Sequence, residues 1–244
     1  MANKVPVLEV FGPTFQGEGM VIGKKTMFVR TAGCDYSCAW CDSAFTWDGS
    51  AKEDIRMLSA KEVFAELQEL APNNFAHVTI SGGNPALLKN MGELVTLLHD
   101  KGMEVAIETQ GSRWQDWLVE IDDLTISPKP PSSSMVTDFT VLDDLINRLR
   151  DADRVSHTSL KVVCFNEEDY QYAKEIHARY PDIAFFLQVG NEDVDHNVSE
   201  DNLVPKLLMK YEELVDRTMS DSDMTRVRVL PQLHTLVWGN KRGV

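Results

Sequence analysis

The sequence predicts an α/β protein, an incomplete or open (β/α) barrel with a mostly parallel sheet. Short apolar runs alternate with helical patterns along nearly the whole chain, which is typical of parallel strands joined by right-handed crossovers. The chain has 244 residues, whereas a complete eight-fold barrel needs about 250. Because its N-terminal strands and a cysteine-rich loop use part of that length, a closed barrel is not expected.

Eight apolar segments of strand length carry this prediction. They are Val5–Phe11, Thr26–Arg30, His77–Ser81, Met103–Glu108, Leu124–Ser127, Ser159–Cys164, Ile183–Val189 and Arg226–Leu230.

The helices between these segments have recognisable ends. Ser59 and Glu62 have the spacing of a capping box, followed by apolar residues on one helical face. The next helix is predicted from about Pro85 to Lys101, ending at Gly102. Three more are predicted at Asp138–Leu149, at Glu167–Tyr180 and over much of Leu203–Val215.

Composition limits the class of protein. The formal net charge is −14, which argues against binding to nucleic-acid phosphates, because such binding needs clustered Lys and Arg. No apolar run reaches the roughly 20 residues of a membrane span, and the first residues lack the apolar core of a signal peptide. We expect a cytoplasmic protein with one domain over residues 1–244, since the loop Pro128–Ser134 is too short to separate two domains.

Three of the four cysteines lie within eight residues, as Cys34, Cys38 and Cys41. A zinc site needs four N or S ligands, generally as two separated pairs, and no second pair lies nearby in the sequence. The C-x₃-C-x₂-C spacing favours a [4Fe–4S] cluster held at three irons, with the fourth iron open. Zinc, or three unrelated buried thiols, remains the alternative. Cys164 lies in an apolar strand and is expected to be a core residue.

Polar and glycine-rich turns follow several predicted strands. Besides the cysteine loop, at about residues 33–48, they are Ser81–Pro85, Glu108–Gly111, Ser127–Pro130 and Gln188–Asn191. In α/β proteins the functional loops lie at the C-terminal ends of the strands. The sequence therefore predicts one site at that edge of the sheet.

Trp40, directly before the third cysteine, completes a pattern that resembles the radical S-adenosylmethionine (SAM) superfamily. The resemblance implies a radical SAM type of open barrel. It also implies that SAM binds the open iron of a [4Fe–4S] cluster and is cleaved to a 5′-deoxyadenosyl radical. Ser81–Pro85 takes the place of the superfamily's Gly-Gly-Glu-Pro turn, with Asn84 where glutamate is usual. The amide oxygen of Asn84 can still accept a hydrogen bond but carries no charge.

A narrower resemblance covers almost the whole chain. Its motifs are Phe15–Gly19, Phe28–Arg30, Cys38–Ser43, Glu108–Gly111 and Ser127–Lys129. Together they resemble the 7-carboxy-7-deazaguanine synthases, in the form found in bacilli. This family converts 6-carboxy-5,6,7,8-tetrahydropterin to 7-carboxy-7-deazaguanine with release of ammonia, in the pathway to queuosine and related 7-deazapurines.

The resemblance also implies roles for individual residues. Cys34, Cys38 and Cys41 would hold the cluster; Trp40, Cys41, Asp42, Gly83, Ser127, Pro128 and Lys129 would bind SAM; Ser43 would bind Mg²⁺; Phe15, Gln16, Gly17, Arg30 and Ser81 would bind the pterin. Arg30 would pair with the substrate carboxylate through its planar guanidinium fork. Glu18 and Glu108 are further candidates for pterin or ribose contacts.

Partners and the chain end complete the expectations. The family implies a homodimer and an electron donor such as flavodoxin or ferredoxin. The terminal segment, from Trp238 to Val244, is aromatic and apolar enough to be docked, either over the active site or in a dimer contact. His77 and His234 are expected to be packed or capping residues.

Two rival functions remain open at this point. One is a radical SAM activase that acts on a partner protein, and the other is a non-catalytic iron–sulfur or zinc protein.

Overall fold

Nine strands form one sheet in the computed structural model, which describes residues 3–193 and 200–244. The strands are β1 (Lys4–Phe15), β2 (Lys25–Thr31), β3 (Arg56–Ser59), β4 (His77–Gly82), β5 (Glu104–Thr109), β6 (Asp123–Ile126), β7 (Thr158–Cys164), β8 (Ala184–Val189) and β9 (Val227–Leu230). All eight predicted strands are confirmed, whereas β3 was not predicted.

The sheet is open and mostly parallel, as predicted. Its strand order is β3-β1-β2-β4-β5-β6-β7-β8-β9. From β2 through β9 every neighbouring pair in this order is parallel, whereas β1 is antiparallel to both β2 and β3. The edge strands β3 and β9 do not pair with each other within the described residues. The parallel strands therefore bring seven C-terminal ends to the same edge.

Six α-helices complete the described part of the chain. They are α1 (Ala60–Leu70), α2 (Met91–Asp100), α3 (Phe139–Asp151), α4 (Glu167–Arg179), α5 (Glu200–Met219) and α6 (Leu233–Trp238). The predicted capping box of α1 is confirmed, since Ser59 and Glu62 exchange both bonds. Asp138 caps α3 by accepting hydrogen bonds from the amides of Thr140 and Val141. None of the helices in the described ranges is long and apolar enough to cross a bilayer.

The predicted helix from Pro85 to Lys101 is wrong over its first turns. A 3₁₀ turn spans Pro85–Leu87, and α2 begins only at Met91. Asn84 caps the start of this turn, since its side-chain oxygen accepts the amide hydrogen of Ala86. Leu88 then adopts an extended conformation, which ends the turn before α2 begins.

The hydrophobic core lies between the sheet and its helices. Val78 and Ile80 of β4 are fully buried together with Leu94 and Leu98 of α2. Every residue of β7 is buried, which is expected of a central parallel strand. Packing on this scale fixes the strands, and with them the loops at their C-terminal edge.

Candidate active site

A cavity of about 280 Å³ opens at the C-terminal edge of the sheet. Its lining includes residues that follow the parallel strands, among them Cys34, Gly83, Gln110, Lys129, Phe165, Asn191 and Gln232. The size is close to the lower end of ligand pockets in proteins, about 300 Å³. The predicted single site at this edge therefore corresponds to a real cavity.

The three clustered cysteines face this cavity as free, half-buried thiols. Two of the three sulfurs, those of Cys34 and Cys41, accept hydrogen bonds from the protein. The Tyr36 amide donates to Cys34 Sγ over 3.4 Å, and Gln110 Nε2 donates to the same atom over 3.6 Å. Trp47 Nε1 donates to Cys41 Sγ over 3.4 Å. Donors to cysteine sulfur are among the features that tune iron–sulfur clusters, so this set fits such a group.

The protonation of each thiol depends on its neighbours in the cysteine loop. Burial raises the pKa of Cys38 to about 11, with Lys129 lowering it and the neighbouring Cys41 and Cys34 raising it further. Burial likewise raises the pKa of Cys34. Three thiolates this close repel each other, so a cationic metal centre is the natural way to hold all three ionised. Cys164, in contrast, is buried in β7, as expected of a core residue.

The cysteine loop is fixed against the segment that follows β6. The Ala39 amide donates to the Ser133 carbonyl over 3.0 Å, and Trp40 Nε1 donates to Ser132 Oγ over 3.0 Å. The Trp40 ring also packs on Phe165, with 4.9 Å between centroids, and lies 5.8 Å from Lys129 Nζ. We call residues 34–47, which carry the thiols, the thiol wall of the cavity.

Gly82 at the end of β4 and Gly83 after it let the backbone approach the segment that leads into the thiol wall. A Cβ at Gly83 would lie 2.0 Å from the Gly33 carbonyl oxygen, and one at Gly82 would lie 2.1 Å from the Thr31 carbonyl oxygen. Gly83 lines the cavity. The glycines are therefore required by this backbone contact, whatever ligand the cavity binds.

The side chain of Asn84 is not the free hydrogen-bond acceptor that its motif suggested. Its oxygen accepts hydrogen bonds from the Ala86 amide and the Thr109 hydroxyl. Its amide nitrogen donates to Asp35 and Ser112, each over 3.0 Å. Because the side chain is buried and its oxygen already accepts two hydrogen bonds, Asn84 holds the thiol wall in place rather than offering a free acceptor.

Only part of the segment Ser127-Pro128-Lys129 lines the cavity, and the rest lies behind the lining. Lys129 lines the cavity. Ser127 and Pro128 are buried and are not among the lining residues. Lys129 Nζ donates to Ser127 Oγ over 3.2 Å, so Ser127 steadies the lysine from behind.

The turn after β1 forms the opposite side, and Phe15, Gln16 and Gly17 all line the cavity. Gln16 Oε1 accepts the Gly17 amide over 2.7 Å, which folds the side chain onto its own turn. Gly17 packs against α6 so closely that a Cβ would lie 2.1 Å from the His234 ring. His234 packs against Gly17 and also lines the cavity.

Arg30 faces the cavity with a partner already in place. Glu9 lies opposite it in the β1–β2 register, and Arg30 Nε donates to Glu9 Oε1 over 2.6 Å. The other oxygen of Glu9 accepts from Arg242 Nε over 2.8 Å. Both guanidinium groups flank the Phe45 ring, at 5.5 Å for Arg30 and 3.8 Å for Arg242. Glu9 thus orients two arginines toward one place in the cavity.

A second ionic group lies nearby. Lys161 of β7 is 1% exposed, and its Nζ lies 2.5 Å from Glu18 Oε2 and 2.7 Å from Glu108 Oε1. Glu18 Oε1 accepts from Gln232 Nε2 over 2.9 Å. Burial alone would raise the pKa of Glu18, but the charges of Lys161 and His234 and the hydrogen bonds from Lys161 and Gln232 lower it to about 2. We call Glu9, Glu18, Arg30, Glu108, Lys161 and Arg242 together the charged wall.

Two further hydroxyl groups line the cavity. Ser81 Oγ is buried and has no hydrogen-bond partner in the described part of the chain, so it is available to a ligand. Ser43 Oγ donates to Asp42 Oδ1 over 3.0 Å and lies 3.9 Å from Cys41 Sγ. Asp42, Glu18 and His234 offer ligand atoms within 4.8 Å of one another, although Lys161 already neutralises part of that charge.

The sequence did not point to Glu9, Phe45, Lys161, Gln232 or Arg242 as site residues. The docked chain end was expected, and residues 239–244 do line the cavity. Of the predicted site residues, all but Ser127 and Pro128 line this one cavity.

Comparison with known proteins then identifies the family. A model described as the radical SAM superfamily matches residues 28–189. A 7-carboxy-7-deazaguanine synthase from Bacillus subtilis is 62% identical over 244 residues, covering 100% of both chains. One from Bacillus cereus is 60% identical over 242 residues, covering 99% of this chain and 100% of the other. The chain belongs to the 7-carboxy-7-deazaguanine synthase family of radical SAM enzymes. The rival functions, an activase and a zinc or electron-carrier protein, are not favoured by these relatives.

Solved structures agree with this family at the level of the fold. QueE from Escherichia coli has a TM-score of 0.65 at 21% identity, covering 95% of each chain. SuiB from Streptococcus suis, solved with S-adenosylmethionine, has a TM-score of 0.54 at 14% identity, covering 83% of this chain and 46% of that one. Membership of the superfamily implies a [4Fe–4S] cluster and SAM, and three free thiols on one cavity wall fit that requirement.

Proposed function

We propose that this enzyme converts 6-carboxy-5,6,7,8-tetrahydropterin to 7-carboxy-7-deazaguanine with release of ammonia, in the queuosine and 7-deazapurine pathway. The observation that carries the proposal is the pairing of two different walls around one small cavity. The thiol wall suits a cluster with its cofactor, and the charged wall suits a compact anionic heterocycle. All 244 residues are proposed to act as one domain.

Cys34, Cys38 and Cys41 would hold the cluster, and Trp40, Cys41 and Asp42 would contact SAM. Gly83 and Lys129 would contact SAM from the other sides, with Ser127 and Pro128 supporting them. When bound, the cluster and SAM supply a radical that removes a hydrogen atom from C6 of the pterin. The protein holds these groups in a cavity that limits access of water.

Arg30 would bind the substrate carboxylate. Its Nε is engaged by Glu9, which leaves the two terminal nitrogens of the guanidinium for the planar bidentate pairing that carboxylates favour. Ser81, whose hydroxyl has no partner among the described residues, would donate a hydrogen bond to the pterin. Phe15, Gln16 and Gly17 would contact the ring from the opposite side.

The proposal includes Mg²⁺ bound by Ser43. A single hydroxyl ligand suits Mg²⁺ only when substrate oxygens and water complete its six-fold coordination. Asp42, hydrogen-bonded to Ser43 Oγ, would orient that hydroxyl. We also propose a homodimer, an electron donor such as flavodoxin or ferredoxin, and a cytoplasmic location, where reducing conditions keep cluster thiols free.

One anaerobic assay tests the proposal. Reduced, reconstituted protein is incubated with SAM, Mg²⁺ and carboxytetrahydropterin, and the products are separated by chromatography. We expect 7-carboxy-7-deazaguanine and ammonia in equal amounts. Absence of the deazaguanine, in protein that contains iron and labile sulfide and still cleaves SAM, would reject this substrate. Omission of Mg²⁺ from the same assay tests the metal separately.

A further inference from the structure

Lys161 is a member of the charged wall whose role neither the reaction nor the sequence motifs explain. It lies on β7, an interior strand of the sheet, with its ammonium group at the cavity and almost no exposed surface. Glu18 comes from the turn after β1, and Glu108 comes from β5. The lysine therefore joins two carboxylates from distant parts of the chain.

The stability of the fold does not by itself account for this arrangement. Taking an ammonium ion and two carboxylates out of water costs several kcal/mol per ion, and apolar residues of similar volume often replace such groups without loss of stability. The group also carries two negative charges against one positive charge. An excess of acceptors in a buried group points to a ligand that donates hydrogen bonds.

The geometry leaves both carboxylates able to accept more hydrogen bonds. Lys161 Nζ donates to Glu18 Oε2 and lies within 2.9 Å of both oxygens of Glu108, while Gln232 donates to Glu18 Oε1. Each carboxylate oxygen has two lone pairs, so one donor per oxygen does not exhaust it. The side chains of Glu18 and Glu108 are 17% and 29% exposed, whereas that of Lys161 is 1% exposed. All three residues line the cavity, and the two carboxylates are the more exposed members of the group.

We propose that Lys161 is a positioning residue that holds the carboxylates of Glu18 and Glu108 in place, so that they accept hydrogen bonds from the N–H groups of the substrate. The inference rests on the proposed function, because a pterin presents an amino group next to a ring N–H, two donors side by side. The lysine thus sets where the two acceptors lie when the substrate binds.

The charges around Glu18 give the sign of the pH effect. Lys161 lowers the pKa of Glu18 against the opposing effect of burial. Without Lys161, burial dominates and Glu18 takes up its proton at higher pH. The other titratable groups near Glu18 are His234 on α6, Asp42 of the thiol wall and Glu108 on β5. Wild type measured at the same pH values is the reference for the variant, because it contains the same three groups.

The experiment compares Lys161→Met with Lys161→Arg in the reconstituted holoenzyme. KM and kcat for carboxytetrahydropterin are measured at pH 6.5 and 8.5. For Lys161→Met we expect a KM increase of about 10- to 100-fold at pH 6.5, the range for hydrogen bonds to charged groups. At pH 8.5 the increase becomes smaller, and kcat changes less than KM at both values. Lys161→Arg restores most of the affinity at both pH values, because it restores the charge.

An equal KM in wild type and Lys161→Met at both pH values overturns the inference, and so does an increase that is independent of pH and persists in Lys161→Arg. If Lys161→Met does not fold, Glu18→Gln provides the test, because Lys161 keeps Glu108 as a partner. Its KM must rise, and an unchanged KM overturns the inference. Failure of the wild-type enzyme to form the deazaguanine rejects the proposed function instead.

Discussion

The two walls of the cavity are built in opposite ways. The thiol wall is a loop with half-buried, unpaired cysteines, held by hydrogen bonds to backbone and indole groups. The charged wall belongs mostly to strands, and its members already have partners: Arg30 and Arg242 with Glu9, and Lys161 with Glu18 and Glu108. One wall needs a metal to hold its three thiolates together, whereas the members of the other are paired before any ligand arrives.

This difference predicts how each wall responds to mutation. Removing a thiol takes away a cluster ligand and leaves the core of the fold intact. Removing one member of a buried ion pair leaves an uncompensated charge, so binding and stability change together. The four predictions below test that contrast, from the largest expected effect to the smallest.

Cys38→Ala should abolish turnover, because two thiolates cannot hold the cluster in its open-iron form. Its free energy of unfolding should change by less than about 1 kcal/mol, as is usual for a half-buried loop position. An activity assay measures turnover, visible absorption measures the cluster content, and urea unfolding measures the stability. Cys164→Ala is the matched control, and it should keep both the cluster and turnover. Global unfolding of Cys38→Ala would show that the thiols are structural.

Arg30→Lys should lower kcat/KM by about 10- to 100-fold, mainly through KM. Lysine keeps the charge but loses the planar fork and the Nε bond to Glu9. Arg228→Lys is the matched control, because Arg228 lies over the Phe186 ring and outside the cavity. Steady-state kinetics of both variants test this role. An unchanged KM in Arg30→Lys would show that Arg30 does not bind the substrate carboxylate.

Asn84→Ala should destabilise the protein by about 2–3 kcal/mol, since it removes four hydrogen bonds worth about 0.5–1.5 kcal/mol each and part of the loss is recovered by water. Cluster loading should fall as the start of the thiol wall loosens. Asn90→Ala is the control, because Asn90 precedes α2 without a side-chain capping bond. Equal unfolding midpoints for the two variants would contradict this role of Asn84.

The smallest effect is expected on the free energy of unfolding at low pH. Since the pKa of Glu18 is lowered from 4.5 to about 2, its contribution to stability is complete above pH 4.5 and is lost as pH falls toward 2. Wild type should therefore lose more unfolding free energy between pH 5 and pH 3 than Glu18→Gln does. Denaturant titrations at the two pH values measure this. Identical losses would mean that Glu18 is not held ionised by Lys161.

Local patterns predicted most of the fold. Eight strands and the capping box at Ser59 and Glu62 follow from apolar runs and from residues a few positions apart. Strand β3 was missed because Arg56–Ser59 is short, lies at a sheet edge and has no buried residue. The first turns of the helix predicted from Pro85 were wrong because Leu88 adopts an extended conformation that ends the 3₁₀ turn.

The thiol wall was also predictable, since its ligands are contiguous in sequence. The charged wall was not, because Lys161 is 143 residues from Glu18 and Arg242 is 233 residues from Glu9. A lysine inside an apolar strand carries no sign of its partner. Spacing cannot show which residue of a strand end faces the cavity, and so it did not separate Lys129 from Ser127 and Pro128.

Those long separations also bear on the order in which the molecule folds. The bonds Leu233 to Gly17 and Gln232 to Glu18 join segments more than 200 residues apart. Closing loops of that length costs the most entropy and is repaid only after the intervening chain is ordered. We therefore expect the sheet and its helices to form first, and the last side of the cavity to close around thiols that are already in position.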